Sequence, residues 1–301
     1  MRVNIKNLSI NQADSFLIML EHEGRKINIL LDGNRESIAN EKILFDEITK
    51  LDQLDYIVIT HIDNDHLGGI VKMLEADDTR KKLIDTKIIY NFVTEKNISF
   101  NQAKRFEKII KSRKVIKSYT DCYESDDFLF FLSIEERKIC NDIGSKNKIF
   151  ITFLGPTKEN ANKVWENFDS GQKEKAELIN ENSIVFMLEA EDKRAVFTGD
   201  SNWNQVEKQI EEIFEGKNYT VDLIKIPHHG ADHNNIGLED FVKRHKCNKL
   251  LVTGKEPWDN EHPHKKIIEN LRKNDTSGQL EIYSKVNLTP YFNTKEEPSE
   301  L

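Results

Sequence analysis

Short apolar runs dominate the sequence and fall into two clusters, one near the N-terminus and one after residue 149. They are rich in Ile, Val, Leu or Phe, and most are followed closely by Gly, Pro, Asp or His, which is typical of strands that end in turns. The runs are Val3–Ile10, Ser15–Glu21, Ile27–Asp32, Tyr56–Thr60, Lys87–Phe92, Ile149–Leu154, Ser183–Ala190, Ala195–Thr198, Leu223–Ile226 and Lys249–Val252. Helix-like segments lie between many of them, such as Ser201–Phe214, with Ser201 as N-cap, and Pro263–Lys273. The pattern predicts an α/β protein in which two sheets pack together and helices lie outside them.

The composition is that of a globular protein with enough apolar residues for a sizeable core, since 38% of the 301 residues are hydrophobic. Length alone predicts about two domains. Lys and Arg total 44 against 52 Asp and Glu, so the formal net charge is 44 − 52 = −8. An acidic balance argues against a protein that coats duplex DNA, which needs a basic surface. Composition by itself indicates a cytosolic enzyme that acts on something small.

Targeting and redox signals point the same way. No run of about 18 apolar residues is present, so we expect no membrane helix, and the N-terminal residues do not resemble a signal peptide. Cys122, Cys140 and Cys247 are odd in number and far apart, and they form no CxxC pair. We therefore expect a cytoplasmic protein without disulfides and without a membrane partner.

The segment Thr60–Gly69 (THIDNDHLGG) concentrates residue types that bind metals. Its four candidate ligands are His61, Asp63, Asp65 and His66. They stand at the end of a strand and the start of a predicted helix, where a tight turn would direct them at one volume, as a divalent metal requires. Gly68 and Gly69 would let the following backbone approach a neighbour closely. The alternative is a polar turn without a metal. It is disfavoured because four side chains that can bind a metal fall within six residues.

This segment resembles the HxHxDH signature of the metallo-β-lactamase superfamily, with Asp63 in place of the usual second His. The HxDxDH variant is similar to the soluble hydrolase domain of ComEC-type competence proteins, which handle DNA during uptake. The rest of that pattern appears in the expected order along the chain. Before the segment stands Leu30-Leu31-Asp32-Gly33. After it come Asn180-Glu181-Asn182-Ser183, Thr198-Gly199-Asp200, Ile226-Pro227-His228-His229-Gly230 and Glu261-His262-Pro263-His264, where Glu261 replaces a Gly. Each element alone is a weak signal, but five in the right order are strong.

The resemblance implies an α/β fold, the metallo-β-lactamase-like αββα four-layer sandwich. We expect a single domain over residues 1–292 that contains two similar halves, followed by a flexible tail at 293–301. The stretch 119–147 is acidic and then briefly apolar, and it is predicted to be an insertion with weak local structure.

The resemblance also implies a centre for two divalent metal ions. The expected ligands are His61, Asp63, Asp65, His66, Asp200 and His228, with Asn182 or Asn180 as a weak ligand where the family has a third His. His228 and His229 end a strand, so their side chains should face opposite ways. One can then be a ligand while the other orients it or contacts substrate, and His228 is slightly favoured as the ligand. Asp and Asn in place of His harden the ligand set, which predicts Zn or Mn, with Mg also open.

The implied reaction is hydrolysis by a metal-bridged hydroxide. Asp65, His229 and His264 are the expected catalytic residues, with His229 or His264 as the group that protonates the leaving group. Removal of either Asp65 or His66 is expected to abolish turnover without unfolding the chain.

Three functions stay open. The first is a phosphodiesterase or nuclease, supported by the variant signature and by the basic stretch Lys104–Lys117, whose charge is 7 − 1 = +6. The residues expected to bind its substrate are His262, Lys104, Arg105 and Lys108. The second is a hydrolase of a small ester, lactone or phosphocholine-type group on the same fold. The third is a metal-binding partner subunit with little activity, since the third His is missing. A protein partner or a homo-oligomer is compatible with each of these functions.

Overall fold

The computed structural model describes residues 2–9, 12–76, 83, 85–90, 101–112, 138–142, 148–156, 176–254, 265–275, 278–284 and 291–293. The strands are β1 (Arg2–Asn7), β2 (Phe16–His22), β3 (Arg25–Leu31), β4 (Tyr56–Ile59), β5 (Lys87–Tyr90), β6 (Lys138–Asp142), β7 (Lys148–Gly155), β8 (Val185–Ala190), β9 (Lys193–Phe197), β10 (Leu223–Lys225), β11 (Lys249–Leu251), β12 (Glu281–Tyr283) and β13 (Tyr291–Asn293). The helices are α1 (Ile38–Ile48), α2 (Asn64–Glu75), α3 (Asn101–Ser112), α4 (Ala176–Glu181), α5 (Trp203–Phe214), α6 (Leu238–Arg244) and α7 (Lys265–Asn274).

The strands form two sheets, each with an antiparallel and a parallel part. The first has the order β13-β1-β2-β3-β4-β5, and it is parallel from β3 to β5. The second has the order β12-β11-β10-β9-β8-β7-β6, and it is parallel from β9 to β12. Parallel neighbours end at the same edge of a sheet, so residues that follow β3 and β4, or β9, β10 and β11, are brought together.

Alternation along the strands separates the hydrophobic layers. In β2, Phe16, Ile18 and Leu20 enter the core between the sheets, whereas Leu17 faces the helices. The inter-sheet core combines residues of both sheets, including Ile29 from β3 and Phe186 from β8. Because side chains alternate between the two faces of a strand, a run that is apolar at every position places apolar side chains in both layers.

Helices cover the outer face of each sheet. The core of the first sheet includes Leu44 of α1, Ile70 of α2 and Phe106 of α3. The core of the second includes Trp203 of α5 and, from α6 and α7, Phe241 and Ile267. The order of layers is therefore helix, sheet, sheet, helix, which confirms the predicted αββα architecture.

The turn between β2 and β3 lies at the opposite end of the first sheet from the carboxyl ends of β3 and β4. It consists of Glu23 and Gly24, which follow the last paired residues, His22 and Arg25. Both turn residues have positive φ, 48° and 77°, as tight hairpins require.

Two local expectations need revision. Helix α5 begins after Asn202, whose side chain accepts a hydrogen bond from the Asn204 N–H at 3.1 Å, so Asn202 is the N-cap and not Ser201. Within the stretch expected to be a weakly structured insertion, residues 138–142 form β6, an edge strand antiparallel to β7. Residues 119–137 and 143–147 lie outside the described residues, as does the predicted tail at 293–301 apart from Asn293, which ends β13 and pairs with Arg2.

Candidate metal centre

The polar residues of the candidate site follow parallel strands of both sheets. They are Asp32 after β3, His61 after β4, Asp200 after β9 and His229 after β10. Helix α2 begins directly after β4, and its first turn carries Asp65 and His66. The site therefore lies where the carboxyl ends of the two sheets meet, and each sheet supplies part of it.

Asp200 is the centre of the arrangement, because one of its oxygens faces four imidazole rings. Its Oδ2 atom lies 3.8 Å from Nε2 of His61, 3.4 Å from that of His66, and 3.6 Å from those of His228 and His229. Two further carboxylates lie on either side: Asp63 is 3.8 Å from His61, and Asp65 is 3.7 Å from His229. The structure thus brings together all six residues expected from the sequence as ligands, with His229 in addition.

These residues form overlapping groups, each compact enough for one ion. In each group the candidate ligand atoms lie within 4.8 Å of one another. One group is His61, His66 and Asp200; another is Asp65, His66 and His229; two more join Asp14 to these residues. Because Asp200 and His66 recur among the groups, neighbouring ions could share ligands.

The distances between the candidate ligand atoms, and the buried polar atoms that lack a hydrogen-bond partner, show that the site fits divalent cations. His61 Nε2 and Asp200 Oδ1 are buried, and neither has a hydrogen-bond partner among the described residues. Two ligand atoms, each about 2.0–2.2 Å from a tetrahedral cation, stand roughly 3.3–3.6 Å apart. The separations of 3.4–3.8 Å around Asp200 Oδ2 are close to that requirement. Imidazole nitrogens and carboxylate oxygens together suit several divalent transition metals.

Burial and neighbouring charges shift the pKa values of these rings in opposite directions. Burial, together with His66, lowers the pKa of His61 to about 3. Burial also opposes charge on His66 and His229, but Asp200 and a second carboxylate outweigh it. They raise the pKa of His66 above its ordinary value and that of His229 to about 9. A cation that binds His66 or His229 therefore displaces a proton.

The rings of His66 and His61 are oriented by hydrogen bonds on their other nitrogens. His66 Nδ1 lies 2.8 Å from Asp32 Oδ2, and the Thr60 N–H and hydroxyl both donate to Asp32 at 2.8 Å. His61 Nδ1 lies 3.0 Å from the Thr60 hydroxyl and 3.3 Å from that of Ser183. These contacts leave each Nε2 directed at Asp200, which is how proteins commonly fix metal-binding imidazoles.

Glycines hold α2 against the end of β3. A Cβ atom on Gly69 would lie 1.9 Å from the Gly33 carbonyl oxygen, and one on Gly33 would lie 2.6 Å from the Ile70 nitrogen. A Cβ on Gly68 would lie 2.5 Å from the Glu36 nitrogen. The close backbone approach expected at Gly68 and Gly69 is confirmed, and it sets the depth at which Asp65 and His66 enter the site.

The two adjacent histidines do not face opposite ways, so that expectation was wrong. The strand β10 ends at Lys225, and His228 and His229 adopt left-handed φ values of 45° and 49° in the turn Pro227–Gly230. This backbone turns both rings towards Asp200. The His228 side chain retains 19% exposure, and its Nδ1 lies 2.9 Å from Asn234 Oδ1. His229 is buried, and its Nδ1 lies 2.7 Å from the Thr253 hydroxyl.

Two charged residues of the site were not found from the sequence. Asp14 and Lys225 are each 1% exposed and form an ion pair beside Asp200 and His229. Asp14 lies in no motif with ligand spacing. Lys225 does carry a signal, because it is a single charge inside the apolar run Leu223–Ile226, where a cation needs a buried partner.

Helix α3 lies close to the site and carries the predicted basic residues. Gln102 donates to the Ile62 carbonyl at 3.2 Å, next to His61. Arg105 forms hydrogen bonds with Glu36 and Glu75, so its charge is already paired. Lys104 and Lys108 are exposed.

The remaining predicted residues differ in position. Asn180 and Asn182 are buried at the end of α4, and Asn182 directly precedes Ser183, whose hydroxyl lies beside His61. His262 and His264 lie outside the described residues. One exposed cation was not predicted: Arg35, whose side chain is 60% exposed, places Nη2 3.7 Å from Asp65 Oδ2.

Over the part of the chain that the structure describes, no helix has the length and apolar character needed to cross a bilayer.

Comparison with known sequences gives two matches. The sequence model of the metallo-beta-lactamase superfamily matches residues 14–134, which contain the Thr60–Gly69 segment. ComE operon protein 3 of Bacillus subtilis (strain 168) is 22% identical over 281 residues, which cover 88% of this chain and 30% of that protein. The chain therefore spans about a third of the length of this relative.

Comparison with solved structures gives matches at low identity. CmlA, a diiron β-hydroxylase from Streptomyces venezuelae, is 12% identical with a TM-score of 0.49, over 97% of this chain and 53% of its own. A metallo-beta-lactamase from Pontibacter korlensis is 12% identical with a TM-score of 0.33, over 72% of this chain and 89% of its own. The resemblance expected from the motifs is thus confirmed by the superfamily match, and the chain has the metallo-β-lactamase fold, a fold of metal-dependent hydrolases.

Proposed function

We propose that this chain is a metal-dependent phosphodiesterase that acts on nucleic acid and uses two divalent cations. The observation that carries the proposal is the position of Asp200 Oδ2, which lies within 3.8 Å of the Nε2 atoms of four histidines. A carboxylate with imidazoles on both sides is suited to hold two cations next to each other.

The ligand sets follow from the grouping of the side chains. We assign His61, Asp63 and Asp200 to the first cation, with Asn182 as a weak additional ligand. We assign Asp65, His66, His229 and Asp200 to the second cation, because the first three of these form one compact group. The many carboxylate oxygens support Mn²⁺ or Zn²⁺, with Mg²⁺ as a weaker alternative.

This assignment reverses the roles of two histidines that the sequence favoured, His228 as the ligand and His229 as the group that protonates the leaving group. His229 is buried and grouped with Asp65 and His66, which supports a ligand role. His228 is partly exposed, and its Nε2 is directed at the same centre. The Asn234 amide NH₂ donates to the carbonyls of Asp200 and Ser201, so its oxygen accepts from His228 Nδ1–H and the other ring nitrogen faces the reaction. We propose that His228 exchanges a proton with the leaving group, a task for which His264 is also a candidate.

The chemistry divides between the cations and the chain. Two divalent cations, when bound to these residues, would supply Lewis acidity and lower the pKa of a bound water molecule. The chain holds these groups in place through hydrogen bonds on the far ring nitrogens. Asp32, Thr60 and Ser183 fix His66 and His61, Asn234 and Thr253 fix His228 and His229, and the Gly33–Gly69 contact fixes α2. A rigid arrangement of this kind does not reorganise as charge develops, which is the main source of electrostatic catalysis.

The exposed basic side chains next to the candidate metal centre favour an anionic substrate over a neutral ester. Arg35 is exposed and stands beside Asp65, whose charge would be engaged by a bound cation. Lys104 and Lys108 are exposed on α3, which contacts the loop after β4 through Gln102. A phosphodiester backbone could therefore meet positive charge next to the centre although the whole chain is acidic.

The test uses protein stripped with EDTA and reloaded separately with Mn²⁺, Zn²⁺ or Mg²⁺. Each form is incubated with single- and double-stranded DNA, RNA, bis-p-nitrophenyl phosphate and p-nitrophenyl acetate. We expect metal-dependent cleavage of the phosphodiesters and loss of cleavage in EDTA. Hydrolysis of the acetate alone would support the small-ester alternative, and bound metal without turnover would support a partner subunit; either result overturns the proposal.

A further inference from the structure

We propose that Lys225 and Asp14 are positioning residues that hold Asp200 and His229 in place for cation binding. This inference rests on the proposed metal-dependent function of the site. The pair joins the two sheets, because Lys225 ends β10 of the second sheet and Asp14 precedes β2 of the first. Neither residue is assigned as a ligand.

Lys225 acts on the backbone that carries Asp200. Its ammonium group is an ion-pair partner of Asp14 Oδ2, donates to the Gly199 carbonyl at 2.9 Å, and lies 3.7 Å from Asp200 Oδ1. Gly199 has a φ of 53°, and a Cβ on it would lie 2.8 Å from Thr60 Cβ. The backbone just before Asp200 is therefore held from both sides, by Lys225 and by Thr60.

Asp14 acts on His229 and on the loops around the site. Its Oδ1 atom lies 3.2 Å from His229 Nδ1 and accepts from the Thr253 hydroxyl at 2.5 Å. Its backbone N–H donates to the Asp65 carbonyl at 3.1 Å. A carboxylate on the far nitrogen of an imidazole fixes the ring and strengthens its Nε2 as a metal ligand.

Lys225 also balances negative charge beside the site. It is a buried cation that faces both Asp14 and Asp200. Its removal would take this positive charge away from two buried carboxylates, in a place where unpaired charge is costly.

The competing explanation is that the pair only stabilises the fold. Removing one partner of a buried ion pair leaves an uncompensated charge, whereas replacing both partners by neutral groups is often tolerated. A purely structural pair should therefore be dispensable when both charges are removed together. A positioning pair should not, because the Gly199 carbonyl would still lack its Lys225 donor and His229 would still lack the negative charge of Asp14.

The experiment compares wild type, Lys225→Met, Asp14→Asn and the double variant Lys225→Met/Asp14→Asn. The matched control is Lys193→Met, which removes an ion pair with Asp222, the residue before the neighbouring strand β10, outside the site. Unfolding temperature in EDTA measures the fold, and titration of the stripped proteins with Mn²⁺ or Zn²⁺ measures the number of bound ions and their affinity. The double variant allows the test even if Lys225→Met does not fold.

We expect the double variant to unfold near the wild-type temperature in EDTA and to bind its weaker cation about 10- to 100-fold less tightly, as when outer partners of metal ligands are lost. Lys193→Met should bind both ions like wild type. Wild-type cation affinity in the double variant, or in a folded single variant, would overturn the inference. A wild-type protein that binds no cation would instead overturn the proposed function.

Discussion

At the scale of single residues, Asp200 is the central side chain of the site because one of its oxygen atoms lies near several imidazole rings. Four imidazole nitrogens face Oδ2, whereas Oδ1 lies 3.7 Å from the Lys225 ammonium group. His66 and His229 outweigh burial and keep the pKa of Asp200 well below its usual range. These charges favour the ionised carboxylate, which is the form that binds a cation.

Loss of Asp65 or His66 should remove activity while leaving the fold intact. We expect Asp65→Ala and His66→Ala to lower turnover of a phosphodiester by at least about 100-fold, since loss of even an outer partner of a ligand costs 10- to 100-fold. Initial rates with bis-p-nitrophenyl phosphate measure the effect, and circular dichroism reports the fold. Asp52→Ala, at an exposed carboxylate, and His22→Ala, at the far end of β2, are matched controls. Wild-type rates in either site variant would contradict the ligand assignment.

Arg35 should act on anionic substrates only. One charge-assisted hydrogen bond to a phosphate is worth about 1.5–3 kcal/mol, so Arg35→Ala should raise the KM for bis-p-nitrophenyl phosphate by about tenfold or more. The KM for any residual hydrolysis of p-nitrophenyl acetate should not change. Arg25→Ala removes an exposed arginine at the start of β3 and serves as the control. Equal effects on both substrates would refute recognition of phosphate by Arg35.

The sequence pointed to the candidate ligands of the site better than to the residues that support them. His61, Asp63, Asp65 and His66 were found because they lie close together in one segment, and Asp200 because a strand and a motif precede it. Asp14 and Thr253 are 239 residues apart and meet only when both sheets are packed. No local pattern encodes such a contact, which is why the support of His229 could be seen only in the structure.

At the scale of elements, α2 is the part whose position is least adjustable. Its N-terminal turn carries Asp65 and His66, and the Gly33–Gly69 contact leaves no room for a methyl group. A small displacement of this helix would move two ligands at once.

Gly69→Ala should therefore weaken both the fold and cation binding. Overpacking of this kind costs about 1–3 kcal/mol of unfolding free energy, and the shift of α2 should lower cation affinity as well. Denaturant unfolding and Mn²⁺ titration measure the two effects. Gly155→Ala is the control, because a Cβ there would meet Val185 Cγ2 at an ordinary 3.4 Å. An equal loss of stability in both variants, with unchanged cation affinity, would argue against the role of this contact.

Most strands were predictable because they are covered on both faces and are therefore continuously apolar. The short strands β12 and β13 and the edge strand β6 were not, since their pairing depends on neighbours that are distant in sequence. The left-handed turn at His228 and His229 was missed for a related reason. Strand alternation describes residues inside a ladder, and β10 ends three residues before the first of these rings.

At the scale of the whole molecule, the two sheets are joined at the site as well as through the core. The proposed ligands follow β4 and begin α2 in one half and follow β9 and β10 in the other, so bound cations would connect the halves. The unfolded chain cannot present these groups together, and cation binding should therefore stabilise the native state.

Removal of the metal should accordingly lower the unfolding temperature. A cation at 100 times its dissociation constant contributes about 2.7 kcal/mol, which corresponds to roughly 4 °C for a chain of 301 residues. Differential scanning calorimetry with and without EDTA measures the shift. Asp200→Asn provides the control, since EDTA should hardly change its unfolding temperature. No shift in the wild type would mean that the cations do not connect the two halves.

The hairpin turn Glu23–Gly24 has a practical consequence for work with long polymers. It stands at the end of the first sheet opposite to the carboxyl ends of β3 and β4, and a Cβ on Gly24 would meet no atom within 4 Å. A biotin or a short tether introduced there would anchor the protein to a surface with the cluster around Asp200 directed towards solution. Single DNA molecules could then be followed on an oriented layer in which every copy offers the same face.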